Sequence, residues 1–375
     1  MQPIYLDNAA TTSLDAEVLA SMMPYLEQKF GNPSSIYSYG RETRMAIETA
    51  RKTVAKLLNA NPAEIFFTSG GTESSNMAII AAVRDLGCTH IITSEIEHHA
   101  VSHTVTHLQQ TGAVALSYVK LLPNGHVDID DLQLLLASTK EKTLVTLMHA
   151  NNEIGNMLNL HQVGSLCKLH HAIFHSDTVQ TVGHFPIDLR NTPIHFITGA
   201  AHKFHGPKGI GIIYINENIR IHPLVHGGGQ ERNMRAGTEN VYGIVGFAKA
   251  LEIAMANHVH DSQYIGSLKK YMMEELQKNI EGVSFNGDVL GNSLYTVLSC
   301  SFPKTEKSEM ILFNLDINHI CASGGSACTS GADAGSHVIR AINNNPNQLT
   351  VRFSFSKYNN KQEIDEVVKK LKTMV

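Results

Sequence analysis

Positive charge is not in excess in this chain: 30 lysines and arginines stand against 34 aspartates and glutamates, a formal net charge of -4 with histidine neutral. A broad basic field of the kind that holds nucleic acid or anionic lipid is therefore missing, and neither is an expected partner. Long apolar runs are missing too; none approaches the ~20 residues that cross a bilayer, so no membrane association is expected. The opening residues, Met1-Gln2-Pro3-Ile4-Tyr5-Leu6-Asp7, show no basic stretch followed by an apolar core. A secretory leader is not expected, and a cytoplasmic location is. Cysteine is scarce, five in 375 residues and without framework spacing. An odd, unpatterned set fits a reducing compartment, in which a single thiol stays free to react. Internal repeats and long low-complexity segments are also absent.

What is present suffices for more than one core. The apolar share is 43%, and 375 residues exceed the ~100 to 150 typical of one domain. Short apolar runs alternate with helical periodicity from Glu64 to Ile215, the rhythm of a mostly parallel sheet. Two helices, Asn240 to Asn257 and Asp261 to Asn279, then break the alternation. The remainder reads as a small α+β unit with strands Leu294 to Phe302 and Leu349 to Ser356 and a closing helix, Lys361 to Met374. The expected division is a large domain over 13–257 and a small one made of 1–12 and 258–375. Among 21 histidines, His99, His103 and His107 recur at helical spacing and could share a face that binds a metal. No HExxH pattern accompanies them, and the expected role is a polar helix face, with no metal site.

The chemistry is expected around Lys203. It follows the apolar run Ile194-His195-Phe196-Ile197 and precedes the turn Gly206-Pro207-Lys208-Gly209, which puts an amine at the lip of a buried sheet. Partial desolvation there favours the neutral amine, the form that attacks an aldehyde such as pyridoxal phosphate. Strand Glu64 to Thr68 runs into Ser69-Gly70-Gly71-Thr72 ahead of a helix whose periodicity covers Asn76 to Leu86, an arrangement of exposed N–H groups and helix dipole suited to a phosphate. Polar groups cluster at other strand ends: Glu97-His98, Asn151-Asn152-Glu153 and Ser176 to Gln180. Asp177 is of the type that keeps a pyridine nitrogen protonated; the alternative is a helix cap. The glycine-rich segment His226 to Thr238 reads as a mobile surface loop. Cys328 sits among small residues, Ala322 to Gly335, poorly placed for packing and well placed on a loop that moves. Cys88, Cys167, Cys300 and Cys321 lie in apolar or helical contexts and read as packing residues. Arg352, between Val351 and Phe353, requires an anion, either a substrate carboxylate or a structural partner.

Taken together, Tyr5 to Thr12, Asn151-Asn152-Glu153-Ile154-Gly155, His202-Lys203, Ser323 to Ser330 and Arg352-Phe353-Ser354 resemble the group I cysteine desulfurases, the nitrogen-fixation and iron-sulfur-assembly type. That family is a class V aminotransferase-like branch of the fold-type I pyridoxal-phosphate enzymes. The resemblance implies an α/β fold, with a mostly parallel seven-stranded sheet flanked by helices and a smaller α+β domain. It implies pyridoxal phosphate joined to Lys203 as an imine, Asp177 on the pyridine nitrogen, Gln180 and Asn152 orienting the ring, and His98 stacking on it and assisting proton transfer. Gly71, Thr72 and His202 resemble phosphate contacts, and Thr238 the residue donated by the second subunit of a homodimer. Arg352 and Asn32 would hold the substrate carboxylate. Cys328 would take sulfur from L-cysteine as a persulfide, leaving L-alanine, and pass it to an acceptor or scaffold protein for iron-sulfur cluster assembly or other sulfur trafficking. Where the family usually has a phosphate-binding serine before the His-Lys pair, this chain has Ala200-Ala201. The competing readings are a selenocysteine lyase, which shares the cofactor chemistry, and a non-catalytic sulfur-relay or scaffold protein.

Overall fold

The computed structural model describes residues 3–325, 335–342, 345 and 347–375. Strand β1 (Ile4–Tyr5) leads to helices α1 (Ala16–Glu27) and α2 (Ser38–Leu57). Asp15 caps α1 by accepting from the Glu17 N–H, one of the orphan donors of a first turn. The alternation follows: β2 (Ile65–Thr68), α3 (Gly71–Arg84), β3 (His90–Thr93), α4 (His99–Gln110), β4 (Ala115–Tyr118), α5 (Ile129–Ser138), β5 (Thr143–Thr146), α6 (Leu160–Leu169), β6 (Ile173–Asp177), β7 (Phe196–Ala200) and β8 (Gly211–Ile215). After a single kinked turn, α7 (Gln230–Asn233), comes the 39-residue helix α8 (Val241–Asn279). The chain ends with β9 (Ser284–Phe285), β10 (Val297–Pro303), α9 (Ile311–Ile317), β11 (Ile320–Cys321), α10 (His337–Ile342), β12 (Gln348–Ser354) and α11 (Lys361–Met374). No helix among the described residues is long and apolar enough to cross a membrane.

Seven strands form one sheet in the order β2-β8-β7-β6-β5-β3-β4. Neighbours are parallel except that β8 runs antiparallel to both β2 and β7. The strand sequences explain why it is covered on both faces. Phe67, Ile92, Val145, Phe174, Ile197 and Ile212 pack with α1, α2, α5, α6 and the start of α8. Their chain neighbours Phe66, Ile91, Leu144, Ile173, Phe196 and Ile213 pack with α3 and α4. A period of two thus divides each apolar run between two cores, as expected for buried, mostly parallel strands.

A separate core gathers Leu6, β10, β12, α11 and the second half of α8 around the antiparallel sheet β12-β10-β9. The expected break between two helices near residue 258 is not found: α8 is continuous. Its buried residues run from Val241 to Leu251 and again from Ile265 to Leu276. The stretch between them is only partly buried, with Ile253, Ala254 and Met255 against the first core and Tyr264 against the second, so the apolar periodicity weakens while the backbone ladder persists.

The segment read as a mobile loop is anchored. Glu231, in left-handed backbone (φ 44), is buried and accepts from Arg51 Nη1 (2.8 Å), Arg51 Nη2 (2.9 Å) and the Phe67 N–H (2.8 Å). Arg51 also donates to the Ile65 carbonyl (2.8 Å) and lies over the Phe67 ring. Both side chains are almost wholly removed from water, so loss of one partner strands the other charge. Glu231→Gln is expected to lower unfolding free energy by about 3–5 kcal/mol, measured by urea denaturation. A change below about 1 kcal/mol would be the behaviour of an exposed pair instead.

Candidate active site

The carboxyl ends of β2, β3, β5, β6 and β7 emerge on one side of the sheet, where open α/β folds place their ligands. A cavity of about 240 Å³ lies there. Its wall brings together Gly71, Thr72, His98, Asn152, Asp177, Gln180, His202, Lys203 and Arg352, residues up to 281 positions apart (352 minus 71). Asn32 and Thr238 are not among the lining residues. Asn32 is exposed, its side chain accepting from the Ser34 N–H at 2.9 Å, and Thr238 is exposed beside a separate hollow with Ser69 and Arg235. Cys328 lies outside the described residues. Cys88, Cys167 and Cys300 are buried, as packing residues should be.

Each lining group is set by a local rule. Helix α3 begins at Gly71, five residues before the helix expected from periodicity at Asn76, so Gly71 and Thr72 form its first turn with their N–H groups outside the helical ladder. A side chain at Gly71 would meet Val179 Cγ2 at 2.6 Å, which explains the glycine. His98 is the N-cap of α4: its Nδ1 accepts from the Ala100 N–H at 3.1 Å. Asp177 ends β6 and accepts from the Val179 N–H at 2.9 Å. The Lys203 Nζ donates to the carbonyls of Ala9 (2.6 Å) and Ala10 (2.9 Å), and the Gln180 amide donates to Ala9 as well (3.0 Å). These two carbonyls were invisible to a search for side-chain chemistry, because alanine carries none. Of the alanine pair before His202, Ala200 lines the cavity and Ala201 belongs to the core.

Arg352 realises the structural alternative and keeps its place in the wall. It donates through Nη2 to Asp7 (2.7 Å) and through Nη1 to the Asn152 carbonyl (2.9 Å), and its Nε has no partner among the described residues. Ser323 bonds the other Asp7 oxygen at 2.8 Å. Guanidinium has five N–H donors, so donors remain for a further anion.

Burial governs the electrostatics. It raises the pKa of Asp177, against the lowering effect of the Val179 N–H and the Lys203 charge. Burial, assisted by the Lys203 charge, lowers His98 to about 4 and His202 to about 4. Both rings are neutral at pH 7. With His98 Nδ1 accepting, its proton is on Nε2. Glu97 is turned into the interior, accepting from the Met148 N–H at 2.7 Å. His99 and His103 stack at 4.6 Å; among the described residues no group of histidine, cysteine or carboxylate is arranged to hold a metal.

Residues 4–367 match the family described as aminotransferase class-V. Cysteine desulfurase IscS of Dictyoglomus turgidum is 43% identical over 99% of this chain and 96% of its own length. A putative cysteine desulfurase IscS 1 of Bacillus subtilis is 40% identical over 100% of this chain and 99% of its own. Among solved structures, a NifS-like protein superposes with a TM-score of 0.91 at 36% identity, covering 99% of both chains. SspA in complex with cysteine gives 0.80 at 31% identity, over 95% of this chain and 100% of that one. Similarity of that length and depth, on a site assembled from the same motifs, means that the chain belongs to the aminotransferase class-V family, in its cysteine desulfurase branch.

Proposed function

We propose that this chain is a pyridoxal-phosphate-dependent cysteine desulfurase, converting L-cysteine to L-alanine and leaving the sulfur as a persulfide on Cys328. The observation that carries the reading is the meeting of Lys203, Asp177 and His98 in one cavity with Arg352 in its wall. Those residues fit the coenzyme. The first turn of α3 offers N–H groups and a dipole to a phosphate, and Gly71 and Thr72 of that turn line the cavity. The buried Asp177 carboxylate, its proton affinity raised, is suited to a cationic ring nitrogen. When bound, pyridoxal phosphate supplies an aldehyde for imine formation and a ring that accepts the electron pair left at the substrate Cα.

The protein's own groups do the rest. Lys203 Nζ, held by Ala9 and Ala10, is the group placed to form the imine and to take the Cα proton. His98 presents a ring to stack and an N–H at Nε2; at that atom it gives a proton and cannot take one. Arg352, with Asn32 as the second assigned residue, anchors the substrate carboxylate through its remaining donors. The Cys328 thiolate forms an S–S bond to the substrate sulfur as the Cβ–S bond breaks, and protons returned to the carbon fragment release alanine. Sulfur then passes to an acceptor protein. Thr238, exposed on its own chain, is assigned to the cofactor of the other copy in a homodimer. The units 13–257 and 1–12 with 258–375 are assigned as large and small domains, with α8 running through both.

The test is direct. Protein incubated with pyridoxal phosphate should gain the visible absorption of a bound imine, and with L-cysteine and a thiol reductant should release alanine and sulfide in equal amounts. Absence of both the absorption and the alanine sinks the proposal. Ala200→Ser should restore a phosphate hydrogen bond and tighten cofactor binding about tenfold, the yield of a charge-assisted bond of ~1.5 kcal/mol. Equilibrium dialysis measures it; unchanged affinity means that Ala200 does not face the phosphate.

A further inference from the structure

The carbonyl of Lys203 receives a contact to which the reaction above gives no role. His184 Nε2 lies 3.0 Å from that oxygen, and His184 Nδ1 lies 3.1 Å from the Tyr295 hydroxyl. A carbonyl only accepts, so the ring proton is on Nε2 and Nδ1 is left to accept from the Tyr295 hydroxyl at 3.1 Å, the shorter of that hydroxyl's two contacts, the other being to the His184 carbonyl at 3.3 Å. Burial lowers the pKa of the ring, which maintains this neutral form. The two rings meet edge-on at 5.8 Å, with Phe185 packed on Tyr295 at 5.3 Å. Gly183, just before, has φ +83, and a side chain there would run into Phe204 at 2.5 Å. The turn that presents His184 is thus fitted tightly against the residue that follows Lys203. Tyr295 packs on the second core, whereas Phe204 belongs to the first.

We infer that His184 is a positioning residue for Lys203, holding the lysine's main chain from one side while Ala9 and Ala10 hold its amine on the other, with Tyr295 selecting the tautomer that donates. The inference rests on the reading of Lys203 as the cofactor lysine. A long side chain delivers its amine to one atom only if its backbone is fixed, and small displacements of a reacting group cost rate more than affinity.

Holoenzyme variants His184→Leu, His184→Gln and Tyr295→Phe test it, the glutamine amide standing in for the Nε2–H donor. His184→Leu should lower kcat about tenfold with KM for cysteine within about twofold, and should lose cofactor absorbance faster on dialysis. His184→Gln should recover both, and Tyr295→Phe should fall between. Unchanged kcat and retention in His184→Leu would overturn the inference. So would a folded His184→Gln as impaired as His184→Leu, because packing rather than the donor would then matter. If His184→Leu does not fold, the other two decide: a near-normal glutamine variant with a weakened Tyr295→Phe supports the role, and any other pattern rejects it. Borohydride fixation of the cofactor on wild-type protein, followed by peptide mapping, checks the underlying reading separately. A label away from Lys203 sinks that reading, whereas a label on Lys203 with indifferent His184 variants sinks only this inference.

Discussion

Replacing Cys328 with serine should abolish alanine and sulfide formation from L-cysteine while leaving the cofactor absorption intact. A thiolate is the nucleophile in sulfur transfer, and a free cysteine with a pKa near ~8.5 reaches that state at modest cost. A serine hydroxyl does not, and it cannot carry the transferred sulfur as a persulfide. Loss of a covalent nucleophile generally costs on the order of 10³-fold or more in turnover. The fold should be indifferent, because the exchange alters one atom in a stretch of small residues, Ala322 to Gly335. Parallel assays of alanine, sulfide and visible absorbance measure the three effects. A serine variant that still turned over at the native rate would remove Cys328 from the reaction without touching the assignment of Lys203.

Asp177→Asn should separate function from stability in opposite directions. Asparagine keeps an oxygen for the Val179 N–H but cannot hold a ring nitrogen protonated. Turnover is expected to fall about a hundred- to a thousandfold, the usual effect of removing one electrostatic stabiliser from a water-poor site. The cofactor-free protein should respond the other way. Burial raises the Asp177 pKa above its unfolded value, so between the unfolded and folded values the native state binds more protons than the unfolded state. Stability contributed by this group is present below the unfolded pKa and is lost as pH rises through the folded one. At neutral pH the buried charge is therefore a cost, and the asparagine variant without cofactor should melt higher than the parent. Adding cofactor should stabilise the parent more than the variant. Calorimetry of both proteins with and without pyridoxal phosphate measures this, and an apo variant that melted lower would mean that the carboxylate is better solvated than its burial implies.

Histidines offer a contrast in sign. His98, His149 and His205 are each lowered to about 4 with burial as the largest cause, so the native state resists protons that the unfolded chain accepts. Their contribution is complete above pH ~6.5 and is lost as pH falls toward 4. Urea midpoints should drop steadily across that interval.

Much of the architecture was legible because it rests on local rules. The β/α alternation from Glu64 to Ile215 and the closing helix over Lys361–Met374 depend on near neighbours and period. The misreadings are of one kind. The middle of α8 passes from one core to the other and is only partly buried between them, so its apolar stripe weakens and a continuous helix reads as two. The anchored turn at Glu231 read as mobile because its partner, Arg51, lies 180 residues away. Helix α3 was expected to start late because its first turn serves the cavity rather than the core.

What the residues determined unaided was the chemistry on offer: an amine after a buried strand, a carboxylate at a strand end, a glycine turn before a helix, and a thiol among small residues. What only the tertiary structure decided was which of these share a cavity and what holds them there. Lys203 meets the Ala9 carbonyl, 194 residues away, and Arg352 meets Asp7, 345 residues away. Such contacts follow from the order in which strands are added to a sheet, and sheet order is a long-range property that no local pattern encodes.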